Sequence, residues 1–245
     1  MATDLTGLLP GLDVIRKDFP ILERVLDGGH PLVYLDSANT SQKPQVVIDA
    51  MVDHLERHNA NISRAMHQLG AESTAAFEEG RDKVAAFLNA PSRDEVIFTK
   101  NASEALNLVA RTFPLGPGDR VVITEMEHHS NIVPWQLATE RSGAELRWFG
   151  ITDDGELDLS NIDELLVPGT KVVALTWVSN MLGTINPVAE IARRAHEIGA
   201  VVVLDASQAA PQLPVDVSTL GADLVAFTGH KMVGPTGIGV LWGRY

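Results

Sequence analysis

"AFTGHKMVGPTGIGVLWG", residues 226–243, bears on fold and chemistry together. An apolar run ends at Thr228. Lys231 follows three residues later, and Gly234, Pro235, Gly237 and Gly239 lead into a second apolar run. Glycines let the main chain approach a ligand closely. A lysine held in such a loop is desolvated, which favours its neutral, nucleophilic form. The competing reading is a solvated loop lysine, and the neighbouring segments bear on the choice.

Outward from this stretch, short apolar runs alternate with helix patterns. Residues 95–99, 120–125, 144–150, 171–179, 200–207, 222–229 and 237–243 read as strands. Residues 102–113, 131–143, 160–167 and 187–199 read as helices, the last opening on Pro187 and closing on Gly199. Strand cores such as "VVAL" and "VVVL" are continuous apolar runs, which suits strands covered on both faces. The expected fold is α/β, a mostly parallel sheet sandwiched by helices. Residues 42–58 and 71–89 read as two earlier helices, and residues 1–33 as an N-terminal arm with a short helix pattern, "LDVIRKDF".

The bulk chemistry narrows the function. A formal charge of −13 repels phosphate backbones and anionic membranes, so neither nucleic acid nor membrane is an expected partner. There is no cysteine, hence no disulfide, thiolate nucleophile or cysteine metal site within these residues. The opening residues carry early acids and no long apolar core, unlike a signal peptide. No stretch approaches the roughly 18 apolar residues of a membrane span. A soluble, cytoplasmic protein is expected.

In such sheets ligands bind beyond the carboxyl ends of the strands. The segments there are "KNASE", "MEHHSN", "SNMLG", "DASQ" and "TGHK". Dinucleotide, Walker, nucleophile-elbow and zinc-protease motifs are all missing. His128 and His129 are adjacent, which does not suit zinc on one helix face. "TKNASEALNLVA" starts a helix directly after a strand. The amides of Ala102, Ser103 and Glu104, with the Ser103 hydroxyl, suit a phosphate, or Asn101 or Ser103 simply caps the helix. Asp205 follows four apolar strand residues; it either needs a cationic partner or caps the next segment. His128 is either a structural hydrogen-bonder or a flat ring against a planar ligand. Phosphate cradle, flat ring, buried acid and nucleophilic lysine together match the needs of pyridoxal 5'-phosphate.

"WVSNMLGT", "DASQAAPQLPVDV", "TEMEHHSNIVPW" and "GADLVAFTGHKMVGPTGIGVLWG" together resemble the class V aminotransferase superfamily, and more closely the group II, Suf-type cysteine desulfurases. "VYLDSANTSQKP" and "NISRAMHQLGAESTAAFEEGR" fit the same group, so the resemblance covers nearly the whole chain. It implies fold type I, with residues 34–245 as the cofactor-binding large domain. It also implies that Lys231 carries pyridoxal phosphate and moves protons at the substrate Cα. Asp205 would pair with the pyridinium nitrogen, and Gln208 with the ring hydroxyl. His128 would stack on the ring, while Ala102, Ser103, Thr228 and His230 would bind the phosphate. Asn180 would lie near the ring hydroxyl and the substrate carboxylate, and His67 near the substrate. The implied reaction takes sulfur from L-cysteine, leaves L-alanine, and passes a persulfide to a Suf-type acceptor protein for iron–sulfur assembly. A homodimer is implied as well.

One departure qualifies the implication. Relatives are well over half as long again, their further part carrying the sulfur-accepting cysteine, a carboxylate-binding arginine and most of the small domain. The expectation is therefore a fragment or a truncated relative lacking the small domain. The alternatives are a non-catalytic cofactor-binding chain and another class V enzyme, such as a selenocysteine lyase. The small domain would normally cover part of the layer at 237–243, so an exposed apolar strand and self-association are expected there.

Overall fold

The computed structural model describes residues 11–245, so the first ten residues of the expected arm lie outside the described residues. Contacts divide the chain into two units. One holds the residues through Ala76 together with His230–Pro235. The other holds Phe77–Gly229 and Thr236–Tyr245.

The second unit contains a seven-stranded sheet. Its strands are β1 (Val96–Thr99), β2 (Arg120–Thr124), β3 (Glu145–Phe149), β4 (Thr170–Thr176), β5 (Val201–Asp205), β6 (Leu224–Thr228) and β7 (Gly239–Gly243). Their spatial order is β1-β7-β6-β5-β4-β2-β3. The pairs from β6 through β3 are parallel, and β7 alone runs antiparallel to both its neighbours. All seven strands lie where the apolar runs predict them. The helices between them are α4 (Ala102–Thr112), α5 (His129–Ser142), α6 (Ile162–Leu165), α7 (Val188–Glu197) and a short α8 (Val217–Leu220).

Side chains alternate between the faces of a strand. Val172, Ala174 and Val203 join Leu106, Val109 and Trp135 of α4 and α5 in one core. The intervening Val173, Leu175, Val202 and Leu204 are equally inaccessible, at 0% exposure. α7 packs on β4 and β5 with Ile191, Ala192 and Ala195 buried. Both faces are therefore covered, which is why the strands read as unbroken apolar runs rather than as alternating ones.

The expectation of an exposed strand at 237–243 is overturned. Val240, Leu241 and Trp242 are 4%, 4% and 2% exposed. β7 is an interior strand, and Leu241 belongs to the core beneath α4 and α5. The Trp242 indole donates to the Glu95 carboxylate at 3.0 Å.

In the first unit, the segment between α1 (Leu12–Lys17) and α2 (Gln45–Asp53) holds a 3₁₀ turn, Pro20–Glu23, and an antiparallel bridge between Val25 and Pro31, and α2 runs on into a single π turn, His54–His58. α3 (Gln68–Phe87) begins in this unit and continues into the other. Among the described residues no helix is long and apolar enough to cross a membrane.

Candidate active site

The carboxyl ends of β1, β2, β4, β5 and β6 share one edge of the sheet, because β7 is the single reversed strand. Thr99, Gly239 and Thr228 lie in register across β1, β7 and β6. Gly239 has no room for a side chain. A Cβ there would stand 2.4 Å from the Asn101 carbonyl carbon, so β7 begins hard against the N-cap of α4. Asn101 Oδ1 accepts the Glu104 amide at 2.8 Å, and Glu104 Oε2 accepts the Lys100 amide. Capping by Asn101 is therefore real. It satisfies the third amide of the helix and leaves those of Ala102 and Ser103, which have no intrahelical partner by position. Thr228 is 3% exposed, and its hydroxyl has no hydrogen-bond partner among the described residues. Buried hydroxyls are normally satisfied. An orphan hydroxyl two strands from unclaimed helix amides is what an anion-binding cradle leaves when only protein atoms are counted.

Asp205 ends β5 at 4% exposure. Its Oδ1 accepts the Ser207 amide at 2.9 Å, so it does cap the turn that follows while remaining buried. Gln208, 5% exposed, sits in that turn. His128 is the N-cap of α5: its Nδ1 accepts the Ser130 amide at 3.1 Å and lies 2.7 Å from the Ser130 hydroxyl. The residue is exposed and tied to Ser130 through Nδ1, so it is a structural hydrogen-bonder. Because α5 is capped this way it starts at His129, two residues before the predicted 131. Asn180 projects from a tight turn after β4, where Ser179 Oγ accepts the Met181 and Leu182 amides.

Glu127 was not singled out by sequence reasoning. It is buried between β2, α5 and β4. Its Oε1 accepts the Thr124 hydroxyl at 2.6 Å and the Thr176 amide at 2.7 Å, and its Oε2 accepts from Asn131 at 2.7 Å. Asn131 in turn accepts the Trp135 indole N–H at 3.1 Å. Burial pushes the Glu127 carboxyl up to about 8, against the pull of these hydrogen bonds, and the charge of Asp205 pushes the same way. Thr176 is the register partner of Asp205 in β4. Glu127 thus ties the His128 segment to the strand beside Asp205. An acid between an apolar strand and a helix start was the available signal.

His230 and Lys231 fall in the first unit, in the short 3₁₀ turn Gly229–Lys231 that follows β6. Burial lowers the His230 pKa, and the charges of Lys231 and Lys43 lower it further. His67 is also in this unit, exposed, with its Nδ1 accepting the Gly70 amide at 3.2 Å near the start of α3.

This mixed sheet, with its polar residues at the carboxyl edge, defines an α/β protein with the fold type I architecture of pyridoxal phosphate enzymes. Residues 33–245 match the family model of class V aminotransferases, and the chain belongs to that family, whose members are pyridoxal phosphate-dependent. A probable cysteine desulfurase of Streptomyces coelicolor is 64% identical over 99% of this chain and 59% of its own length. A cysteine desulfurase of Haloferax volcanii is 48% identical over 95% of this chain and 58% of its own. Among solved structures, an apo cysteine desulfurase of Thermococcus onnurineus superposes with a TM-score of 0.86 at 41% identity, covering 95% of this chain and 57% of that one. The cysteine desulfurase CsdA of Escherichia coli, in an S-sulfonic acid form, superposes at 0.84 with 36% identity, over 95% of this chain and 57% of its own. The chain thus spans about three fifths of the length of the relatives it matches.

Proposed function

We propose that this chain is the cofactor-binding large domain of a group II, Suf-type cysteine desulfurase. It would act in the cytoplasm as a homodimer, taking L-cysteine to L-alanine and handing the sulfur, by way of a persulfide, to a Suf-type acceptor for iron–sulfur cluster assembly. The observation that carries the reading is the buried Thr228 hydroxyl, without a partner among the described residues, in register through Gly239 with the strand end from which α4 starts. The residues present fit pyridoxal phosphate: a cradle for its phosphate, an acid for its ring nitrogen and an amine for its aldehyde.

When bound, the cofactor supplies an aldehyde and an electron-withdrawing ring that acidifies the substrate Cα. Asp205, buried at the end of β5, would hold a proton on the ring nitrogen. His128, tied to Ser130 through Nδ1, would cover one face of the ring. Gln208 and Asn180 orient the ring hydroxyl, with Asn180 and His67 toward the substrate. His230 adds to the phosphate cradle. The Lys231 amine would hold the cofactor through its aldehyde and would serve as the base for the substrate Cα proton. The net transfer is one sulfur atom from L-cysteine to a thiol, which becomes a persulfide as the carbon skeleton leaves as L-alanine. No cysteine occurs in these 245 residues, so that thiol must come from elsewhere. The same absence favours a second reading, a cofactor-binding chain that does not turn over by itself.

Borohydride reduction of the chain loaded with pyridoxal phosphate, followed by peptide mass spectrometry, tests the cofactor assignment. A pyridoxyl adduct on Lys231, lost in Lys231→Ala, is expected; an unlabelled Lys231 would end the reading. Alanine released from L-cysteine with an added thiol separates the desulfurase from the non-catalytic alternative. A strong preference for selenocysteine would point to a lyase instead.

A further inference from the structure

Within the first unit, four donors converge on one main-chain oxygen, the carbonyl of His230. The Ser41 amide and the Ser41 hydroxyl each reach it at 3.0 Å. Thr40 Oγ1 reaches it at 3.1 Å and Lys43 Nζ at 3.0 Å. A carbonyl oxygen has two lone pairs, so one or two donors ordinarily suffice. This carbonyl belongs to the peptide bond whose nitrogen is that of Lys231.

A second tie lies just beyond the lysine. The Val233 amide donates to Ser41 Oγ at 2.8 Å. Val233 has φ 55°, in the left-handed region. A β-branched residue takes that conformation only where its surroundings impose it. Ser41 therefore grips the chain both before and after Lys231, accepting from one side and donating to the other. Thr40 Oγ1 adds a contact to His230 Nδ1 at 3.1 Å.

Lys43 is an unusual choice for this place. Burial lowers its pKa, and no carboxylate pairs with it among the described residues. Its ammonium donates instead to the main-chain oxygens of Ser41 and His230. Charge-assisted bonds of this kind are stronger than neutral ones. The turn they hold is only three residues long, and Gly234 and Gly237 follow it closely. Without outside ties such a loop would let the lysine amine wander, and catalysis depends on holding reacting groups in place.

We propose that Thr40, Ser41 and Lys43 form a brace on the main chain flanking Lys231, and that Ser41 and Lys43 are positioning residues for the amine that carries the cofactor. The proposal rests on the reading of Lys231 given above. The brace explains why a strained Val233 persists beside a glycine-rich loop, and why an unpaired lysine is spent on backbone oxygens.

The test compares the parent chain with Ser41→Ala, Lys43→Met and Lys43→Arg, each with and without pyridoxal phosphate. In the cofactor-free proteins, hydrogen exchange is read at the Val233 amide, and acetic anhydride labelling of Lys231 is read against Lys83, whose side chain is 73% exposed. In the loaded proteins, the visible absorbance band and the borohydride-trapped fraction on Lys231 are read. Ser41→Ala is expected to speed Val233 exchange about tenfold. Lys43→Met is expected to move Lys231 labelling about threefold toward the Lys83 rate and to weaken the visible band. Lys43→Arg, which keeps charge and donors, is expected to behave as the parent does. If Ser41→Ala does not fold, Lys43→Met decides alone, since it keeps every amide and hydroxyl of the brace. The proposal is overturned if Lys43→Met leaves labelling and band unchanged, or if Lys43→Arg behaves as Lys43→Met. Should the parent itself take no cofactor on Lys231, the functional reading fails, while the exchange and labelling arms still decide the brace.

Discussion

Glu127 and Asp205 are two buried acids at the carboxyl edge of the sheet. Glu127 is sealed between three elements, and its carboxyl is pushed up to about 8. A free glutamate ionises near 4.5, so at intermediate pH the folded chain keeps a proton that the unfolded chain has released. The stability tied to that proton is whole below about pH 4.5 and is lost as pH rises toward 8. Glu127→Gln removes this slope. Urea unfolding at pH 5 and pH 8 should show the parent losing roughly 2–4 kcal/mol more than the variant over that interval. Equal losses in both proteins would mean that Glu127 is already ionised in the native state. Sequence reading picked out Asp205, which announces itself at the end of "VVVLD", but passed over Glu127. The burial of Glu127 comes from the packing of a helix start against a neighbouring strand, and adjacency along the chain does not reveal that.

At the scale of elements, the contact between β7 and the N-terminus of α4 carries the most chemistry. Gly239→Ala would push a methyl group into the backbone of Asn101, which cannot swing aside as a side chain would. Overpacking of this sort costs about 1–3 kcal/mol. The expected result is a lower melting temperature together with several-fold weaker pyridoxal phosphate binding, read by equilibrium dialysis. Unchanged affinity would separate the cradle from this contact. The strands were legible because each is a continuous apolar run bounded by polar or glycine residues, and the helices because of their caps, such as Asn101 and Gly143. The direction of β7 was not legible: "GIGVLWG" reads the same whichever way it pairs. Its burial was misjudged for the same reason, since an interior strand and a bare edge strand can share one composition. The brace on Lys231 was invisible too, because it joins residues about 190 positions apart.

At the scale of the molecule, charge and topology both set the terms of stability. A net charge of −13 works against compaction by self-repulsion. Raising sodium chloride from low to moderate concentration at pH 8 should therefore raise the melting temperature by a few degrees; a fall would show that attractive pairs outweigh repulsion. Topology acts through β7, which pairs with β1 on one side and β6 on the other. A chain ending at Pro235 would bare one edge of β6 and leave β1 with no ladder at all. Such a chain is expected to bind a hydrophobic dye and to lose its cooperative melting transition, whereas a sharp transition would show that the parallel strands suffice.

The same insertion has a consequence during synthesis. β1 leaves the ribosome more than a hundred residues before the one strand that can pair with it, while β2 to β6 can begin to assemble as they emerge. The nascent chain must therefore carry an unmated ribbon of backbone donors and acceptors through most of translation, and a chaperone that shields that ribbon would set the yield of native protein.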